Sequence, residues 1–328
     1  MMLRKPGYYD QFVCLGGSCP DSCCQMWDIQ VDDESAKRYL ALPGALGDRL
    51  RQVLVKDEEG YTLCQEAGRC PMWRQDGLCQ IQKELGEEAL CHVCSQFPRL
   101  KHEYEGLTEL GLELSCPEAA RLILANREFS LTETGAIPDG DELLKLLDRS
   151  RKEAFRLLSD RRYSAGERLA QLLLFAYGVQ EELDGGDNRD FDPQKALETA
   201  KTFAKGGDLN AMLAFFRDLE ILTPQWAQQL EAEPVYSPWT EEYAALAGYF
   251  ILRYWLQAAS DYDLVGRVKL AISSCLVIRA LGGELLQTAQ LYSKEIENDI
   301  DNVDALLDGA YTESCFCDAA LLDLLLNS

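Results

Sequence analysis

Four cysteines crowd into one short stretch, CLGGSCPDSCC, as Cys14, Cys19, Cys23 and Cys24. Thiols this dense form disulfides, hold a metal or carry out redox chemistry, and each outcome dictates a different small fold. The cellular compartment separates these outcomes. The opening MMLRKPGYYDQF has no apolar run after its basic residues, so no secretory signal is expected. No uncharged apolar stretch reaches the roughly 18 residues of a membrane span. A cytoplasmic location without membrane insertion is therefore expected. Cytosolic thiols stay reduced, and clustered cysteines there read as metal-binding or catalytic. The total of 13 cysteines is odd and fits poorly with complete pairing.

Ten of the 13 lie in the first 116 residues: Cys14, Cys19, Cys23, Cys24, Cys64, Cys70, Cys79, Cys91, Cys94 and Cys116. Both histidines, His92 and His102, share that part. Composition changes at LTETGAIPDGDE, residues 131 to 142, which reads as a domain boundary. The expected fold is mainly α. Residues 1–130 would form a small cysteine-rich, metal-binding domain with little β, and residues 131–328 an all-α helical domain. Leu110, Leu112 and Leu114 alternate with Glu109, Gly111 and Glu113, a strand pattern that suggests a hairpin before Cys116. VDDESAKRYLAL and CQIQKELGEEALCHVC read as helices. Beyond residue 131, Asp192 with Pro193, and Ser237 with Pro238, mark helix starts. Cys275 lies within an apolar helix and reads as a core thiol. Cys315 and Cys317 read as non-ligands.

The net charge is −23. Phosphate backbones would be repelled, which argues against nucleic acid and favours a basic or lysine-bearing partner.

Proline follows Cys19, Cys70 and Cys116. It fixes φ, lacks an N–H and suits the first position of a helix. Cys116 would then cap a helix, where free N–H groups favour the metal-binding thiolate. Cys91 and Cys94 are spaced to share a helix face, with His92 between them as a weaker nitrogen donor. Cys23 and Cys24 are adjacent and point in different directions, so they can serve two sites, or one site and the core. The set suits one four-sulfur cluster with spare thiols, or two metal centres. Its spacing matches neither a simple zinc finger nor the ferredoxin run. An iron–sulfur cluster, 4Fe-4S in particular, is favoured over zinc.

Four blocks, FVCLGGSCPDSCCQMWDIQVD, RCPMWRQDGLCQIQKELGEEAL, CSQFPR and LELSCPEAARLIL, resemble the flagellin lysine-N-methylase family, related to CxxCxxCC cysteine-cluster proteins described as zinc or iron chelators. The segments ERLAQLLLFAYGVQ and QLYSKEIENDIDNVDALL extend the likeness over nearly the whole chain. The resemblance implies metal ligands at Cys14, Cys19, Cys23, Cys24, Cys70, Cys79, Cys94 and Cys116, and leaves Cys64 and Cys91 outside. It also implies S-adenosylmethionine as methyl donor, a flagellin-like protein with an exposed lysine as acceptor, and an iron–sulfur cluster.

Methyl transfer to lysine requires in-line geometry and an amine stripped of its proton. YSKEIENDIDN offers Tyr292, Glu295, Glu297 and Asn302, of which Tyr292 and Glu295, on one face if helical, are the candidate catalytic groups. No glycine-rich turn follows a strand, so a Rossmann donor site is not expected. Trp27 and Asp28 follow the cysteine pair, and Arg99 follows Cys94. Trp27 would cover the cluster, and Arg99 would hold the donor's carboxylate or that of Asp28. A competing expectation is a non-enzymatic metal-binding or redox-sensing protein whose helical domain binds a partner.

Overall fold

The computed structural model describes residues 2–25, 27–58, 60–136, 141–187 and 190–328. The chain is 60% helix and 11% strand, so the mainly helical class holds. In order, the first elements are β1 (Met2–Pro6), β2 (Ile29–Val31), α1 (Asp33–Ala41), α2 (Gly44–Val53), β3 (Leu54–Lys56) and β4 (Tyr61–Leu63). Next come α3 (Gln80–Leu85), α4 (His92–Gln96), β5 (Arg99–Tyr104), β6 (Leu107–Leu112), α5 (Pro117–Ala125) and β7 (Leu131–Thr134). The helices α6 (Glu142–Ser159), α7 (Ala165–Leu183), α8 (Pro193–Phe203), α9 (Leu209–Asp218), α10 (Pro224–Leu230) and α11 (Glu241–Tyr254) follow. The last are α12 (Ala258–Asp261), α13 (Leu264–Leu281), α14 (Leu285–Tyr292), α15 (Ile300–Thr312) and α16 (Asp318–Asn327).

Two compact units divide the chain: Phe12–Leu100 with Cys116–Glu118, and Met1–Gln11, Lys101–Ser115 with Ala119–Ser328. The stretch 131–142 contains β7, and its residues 137–140 lie outside the described residues.

The cysteine-rich unit carries a three-stranded antiparallel sheet, β2-β4-β3, with Ile29 opposite Leu63 and Val31 opposite Tyr61. Ile29, Val31, Leu63, Tyr39 and Leu50 form its small core together with Cys70 and Cys91. The segment 79–94 is not one helix. Gly86, at φ +93°, ends α3, and a short 3₁₀ turn, Glu87–Ala89, precedes α4. Glycine is the residue that adopts this conformation without strain.

The helical unit is not all-α. Its strands β5, β6, β1 and β7 form one sheet in that order. β5 and β6 make the expected hairpin, but β1 pairs parallel to β6 and antiparallel to β7. β1 is short, charged and joined to partners far along the chain, so no local pattern announced it. Register explains its content. Arg4 stands opposite Glu109 on β6 and Glu133 on β7. Its fully buried guanidinium meets Glu133 at 2.9 Å and Asp148 of α6 at 2.6 Å. Arg151, also fully buried, grips Glu109 through two contacts of 2.7 and 2.5 Å. Sheet and helix are thus tied by alternating charges.

Helix α13 is buried from Leu264 to Ala280 on every face, as expected of a helix apolar all round. It packs on α7, α11, α14 and α15. Its cations are all engaged. Lys269 donates to the Ala310 carbonyl, and Arg279 donates to Ser237 and Ser328. Cys275 is fully buried in this helix, as read from sequence. Helix ends follow the expected chemistry at α7, where Ser164 and Glu167 form a capping box, and at α8, where Asp192 caps ahead of Pro193. α11 instead starts at Glu241, after Thr240 rather than at Ser237.

Glu109→Ala leaves Arg4 and Arg151 buried with less compensation, so a loss of about 3–5 kcal/mol is expected. Chemical denaturation of the purified chain measures it, and a loss below about 1 kcal/mol would show that the network does not hold the sheet to α6.

Candidate metal centre

The loop between Cys70 and Cys79 closes on itself. Cys70 donates its N–H to the Cys24 carbonyl (2.7 Å), and Gln80 donates to Met72 (2.7 Å). This brings distant cysteines together. Cys24, Cys79 and Cys94 are half-buried and pack against the core that contains Cys70 and Cys91. Cys70, Cys79 and Cys94 each feel the charge of others in the group. A second group forms at the other end of the vicinal pair, where Cys14 and Cys116 act electrostatically on Cys23. The two groups meet at Cys23–Cys24.

Backbone N–H groups aim at several sulfurs. Cys79 precedes α3 and accepts from Gln82 and Ile81, and Cys70 accepts from Met72. Cys91 precedes α4 rather than ending a helix, and accepts from the Cys94 N–H. Cys116 directly precedes α5, with Pro117 in the first helical position, as expected from sequence.

Burial nonetheless dominates at Cys70 and pushes its thiol up to about 12, and it raises Cys79 as well. The two close pairs behave differently. Cys24 is lowered to about 7 because the Cys23 thiol hydrogen-bonds to it, and Cys91 is lowered to about 7 by the same contact from Cys94. Cys23 and Cys94 are raised correspondingly, since each keeps the proton its neighbour gives up. Each pair thus supplies one thiolate near neutral pH.

The donor set suits a thiolate-bound metal in its chemistry: soft sulfurs, N–H donors to sulfur and an apolar surround. The sulfurs themselves are not drawn together. Among the described residues no three histidine, cysteine or acidic side chains are arranged to hold a metal ion. All thirteen cysteines are free thiols.

Of the two cysteines that the resemblance left out, Cys91 is buried within the five-thiol group. Its spacing from Cys94 was the available signal. Cys64 is half-buried after β4. Cys19 is half-buried and donates to the Asp21 carbonyl, and Cys14 is exposed. His92 is exposed, and it donates its backbone N–H to Asp32.

Trp27 donates its indole N–H to the Cys23 carbonyl (2.6 Å) and stands edge-on to Phe97. It therefore braces the cysteine pair. Asp28 accepts the Gln65 N–H, while Arg99 lies 5.2 Å over the Phe12 ring. The Arg99–Asp28 pairing considered from sequence is not formed.

In the helical unit Tyr292 and Glu295 do not meet. The Tyr292 hydroxyl pairs with Ser274 (2.6 Å) among aromatic rings, and Glu295 accepts the Leu222 N–H (2.8 Å). Both are fully buried. Residues Ser293–Glu297 form a π-helical turn rather than α-helix, which shifts the face that helical spacing would share. That turn inserts Glu297, named from sequence as part of this segment but not chosen as catalytic, into a buried cluster. It accepts hydroxyl bonds from Tyr249 (2.9 Å), Tyr254 (3.0 Å) and Ser293 (2.6 Å), and faces Arg253 at 3.3 Å. Glu113 adjoins the same cluster; burial raises its carboxyl despite the attraction of Arg253. Burial likewise raises Glu295.

Asp32 ties the cysteine turn to α1, accepting the Ser35 N–H (2.9 Å) and the His92 N–H (2.8 Å). The His92 contact, then Ser35, lowers its carboxyl from 3.8 to about 2. A depressed carboxylate stabilises the fold above its unfolded value, so this contribution is present above pH 3.8 and is lost as pH falls towards 2. Asp32→Ala should cost about 1 kcal/mol and speed alkylation of Cys91. Unchanged denaturation midpoint and alkylation rate would refute this role.

The comparisons bear on 37% of this chain rather than on nearly all of it, as the resemblance in sequence suggested. Flagellar biosynthetic protein FliU of Salmonella muenchen is 37% identical over 129 residues, which is 37% of this chain and 76% of FliU. The lysine-N-methylases of Salmonella typhimurium and Salmonella choleraesuis are each 36% identical over 129 residues, 37% of this chain and 32% of theirs. The chain thus spans about a third of the length of these two enzymes. No family model matches, and no solved structure matches. With this identity over three-quarters of FliU, the chain belongs to the flagellin lysine-N-methylase family.

Proposed function

We propose that this chain acts as an S-adenosylmethionine-dependent protein lysine N-methylase on flagellin-like substrates, with an iron–sulfur centre held by its cysteines. The observation that carries the reading is the identity to proteins named lysine-N-methylase. The five-thiol group Cys24, Cys70, Cys79, Cys91 and Cys94 supports the metal part, with Cys14, Cys23 and Cys116 as a second set of donors. When bound, an iron–sulfur centre supplies a Lewis acid in a thiolate cage.

The chain's own residues must handle the amine. A free lysine carries its proton up to pH about 10.4, so a base has to remove it before attack on the sulfonium methyl. Glu113 is the carboxylate we nominate. It is desolvated, raised, and set beside Arg253 and the Glu297 cluster, a balance found at proton-transfer groups. Glu295 shares the raised carboxyl but is enclosed, and Tyr292 is engaged with Ser274; we assign these two to holding the π-turn.

A second reading, thiol redox sensing without catalysis, is favoured by the pairs Cys23–Cys24 and Cys91–Cys94, each with one thiolate near neutral pH. One experiment separates the two. Flagellin is incubated with anaerobically purified protein and S-adenosylmethionine, and its lysines are followed by mass spectrometry. Methyl gain is expected, falling about 10²-fold or more in Glu113→Gln if that residue is the base. Absence of methyl gain from metal-loaded protein would reject the methylase reading. Cys91→Ser should lower metal content and Cys64→Ser should not; equal content in both would remove Cys91 from the ligand set.

A further inference from the structure

Helices α7 and α15 and the residue after α12 present three exposed tyrosines to one open groove of about 470 Å³, lined by Tyr177, Gln180, Tyr262, Asp263, Val265 and Tyr311. Exposed tyrosines are costly to leave together unless something covers them, and these are 39%, 52% and 60% exposed. Two of the rings are held by their hydroxyls, and the third residue by its backbone. Tyr177 donates to Asp318 (2.8 Å), Tyr311 donates to Asp263, and Gln180 fixes the Tyr262 carbonyl (2.7 Å). Tyr262 sits at φ +62°, a left-handed conformation unusual for a bulky residue. That backbone directs the ring from the helix end rather than along the helix.

An ammonium already uses one of these rings. Lys269 lies 5.5 Å over Tyr311, with its charge offset by Asp318 at 2.9 Å. Aromatic faces bounded by carboxylates attract cations, and they favour weakly hydrated, alkylated ammonium groups. The chain's charge of −23 adds long-range attraction for such a group.

We propose that this groove is an aromatic cage for a methylated lysine side chain on a protein segment. The choice of a methylated lysine rests on the methylase reading; the cage would hold the modified product segment apart from the proton-transfer group.

The test titrates the full chain by calorimetry with a peptide bearing one trimethyllysine, with the same peptide bearing lysine, with a norleucine version, and with tetramethylammonium alone. The trimethyllysine peptide is expected to bind tightest, and norleucine not at all. Tyr262→Asn, which keeps the left-handed backbone, and Tyr311→Leu should each weaken binding about two- to fivefold, while Tyr311→Phe should retain it. Equal binding of lysine, norleucine or tetramethylammonium, or no change in the two ring-deleting variants, would overturn the cage. The methylation assay runs in parallel on the same proteins. Methyl transfer without trimethyllysine binding defeats only the cage, and binding without any methyl transfer defeats only the methylase reading.

Discussion

Five thiols crowd against one small core in the cysteine-rich unit, and that crowding is the constraint on which the unit depends. Protonated, they pack as small hydrophobes and extend a core that Ile29, Val31, Leu50 and Leu63 alone leave thin. Ionised together, they would repel. Two stable solutions exist: thiolates shared with thiol protons, as in the pairs Cys23–Cys24 and Cys91–Cys94, or a metal that neutralises several at once. The close contacts of Cys23 with Cys24 and of Cys94 with Cys91 fit the first, and the second is the one proposed. N–H groups of Met72, Gln82 and Cys94 already point at sulfur, as they would to support bound thiolates.

The helical unit solves a different problem. Its buried charges are matched residue by residue, Arg4 by Glu133 and Asp148, Arg151 by Glu109, and Arg253 by Glu297. Such pairs add little net stability over apolar packing, but losing one partner is costly. They fix which strand lies beside which helix. In a bundle around an apolar α13, where many packings have similar energy, that specificity chooses the register.

What the sequence disclosed follows from how local each signal was. Cysteine clustering, the cap at Asp192 with Pro193, the β5–β6 hairpin and the core role of Cys275 were legible, because each rests on neighbours within a few residues. The pairing of β1 with β6 was not, since Arg4 and Glu109 meet across about a hundred residues. Gly86 was present in the sequence but was read through, and the helix it breaks places Cys91 at a start rather than an end. The π-turn at Ser293–Glu297 inserts one residue's worth of rotation that no 3.6-residue spacing contains. For that reason Tyr292 and Glu295 looked like partners, while the buried cluster around Glu297 was not foreseen.

The acidity of the chain takes on a sharper meaning once its carboxylates are sorted by surroundings. Surface acids such as Asp263 and Asp318 accept hydrogen bonds from exposed tyrosines and lend the surface charge that attracts a cation. A buried acid such as Glu113 is raised by desolvation and can accept a proton. Handling of a lysine needs both properties, yet no single carboxylate supplies them together. The same desolvation that raises a proton affinity weakens the long-range field that would bring the substrate in. Division of the work between separate carboxylates is the arrangement this physics requires, and the helical unit contains both kinds.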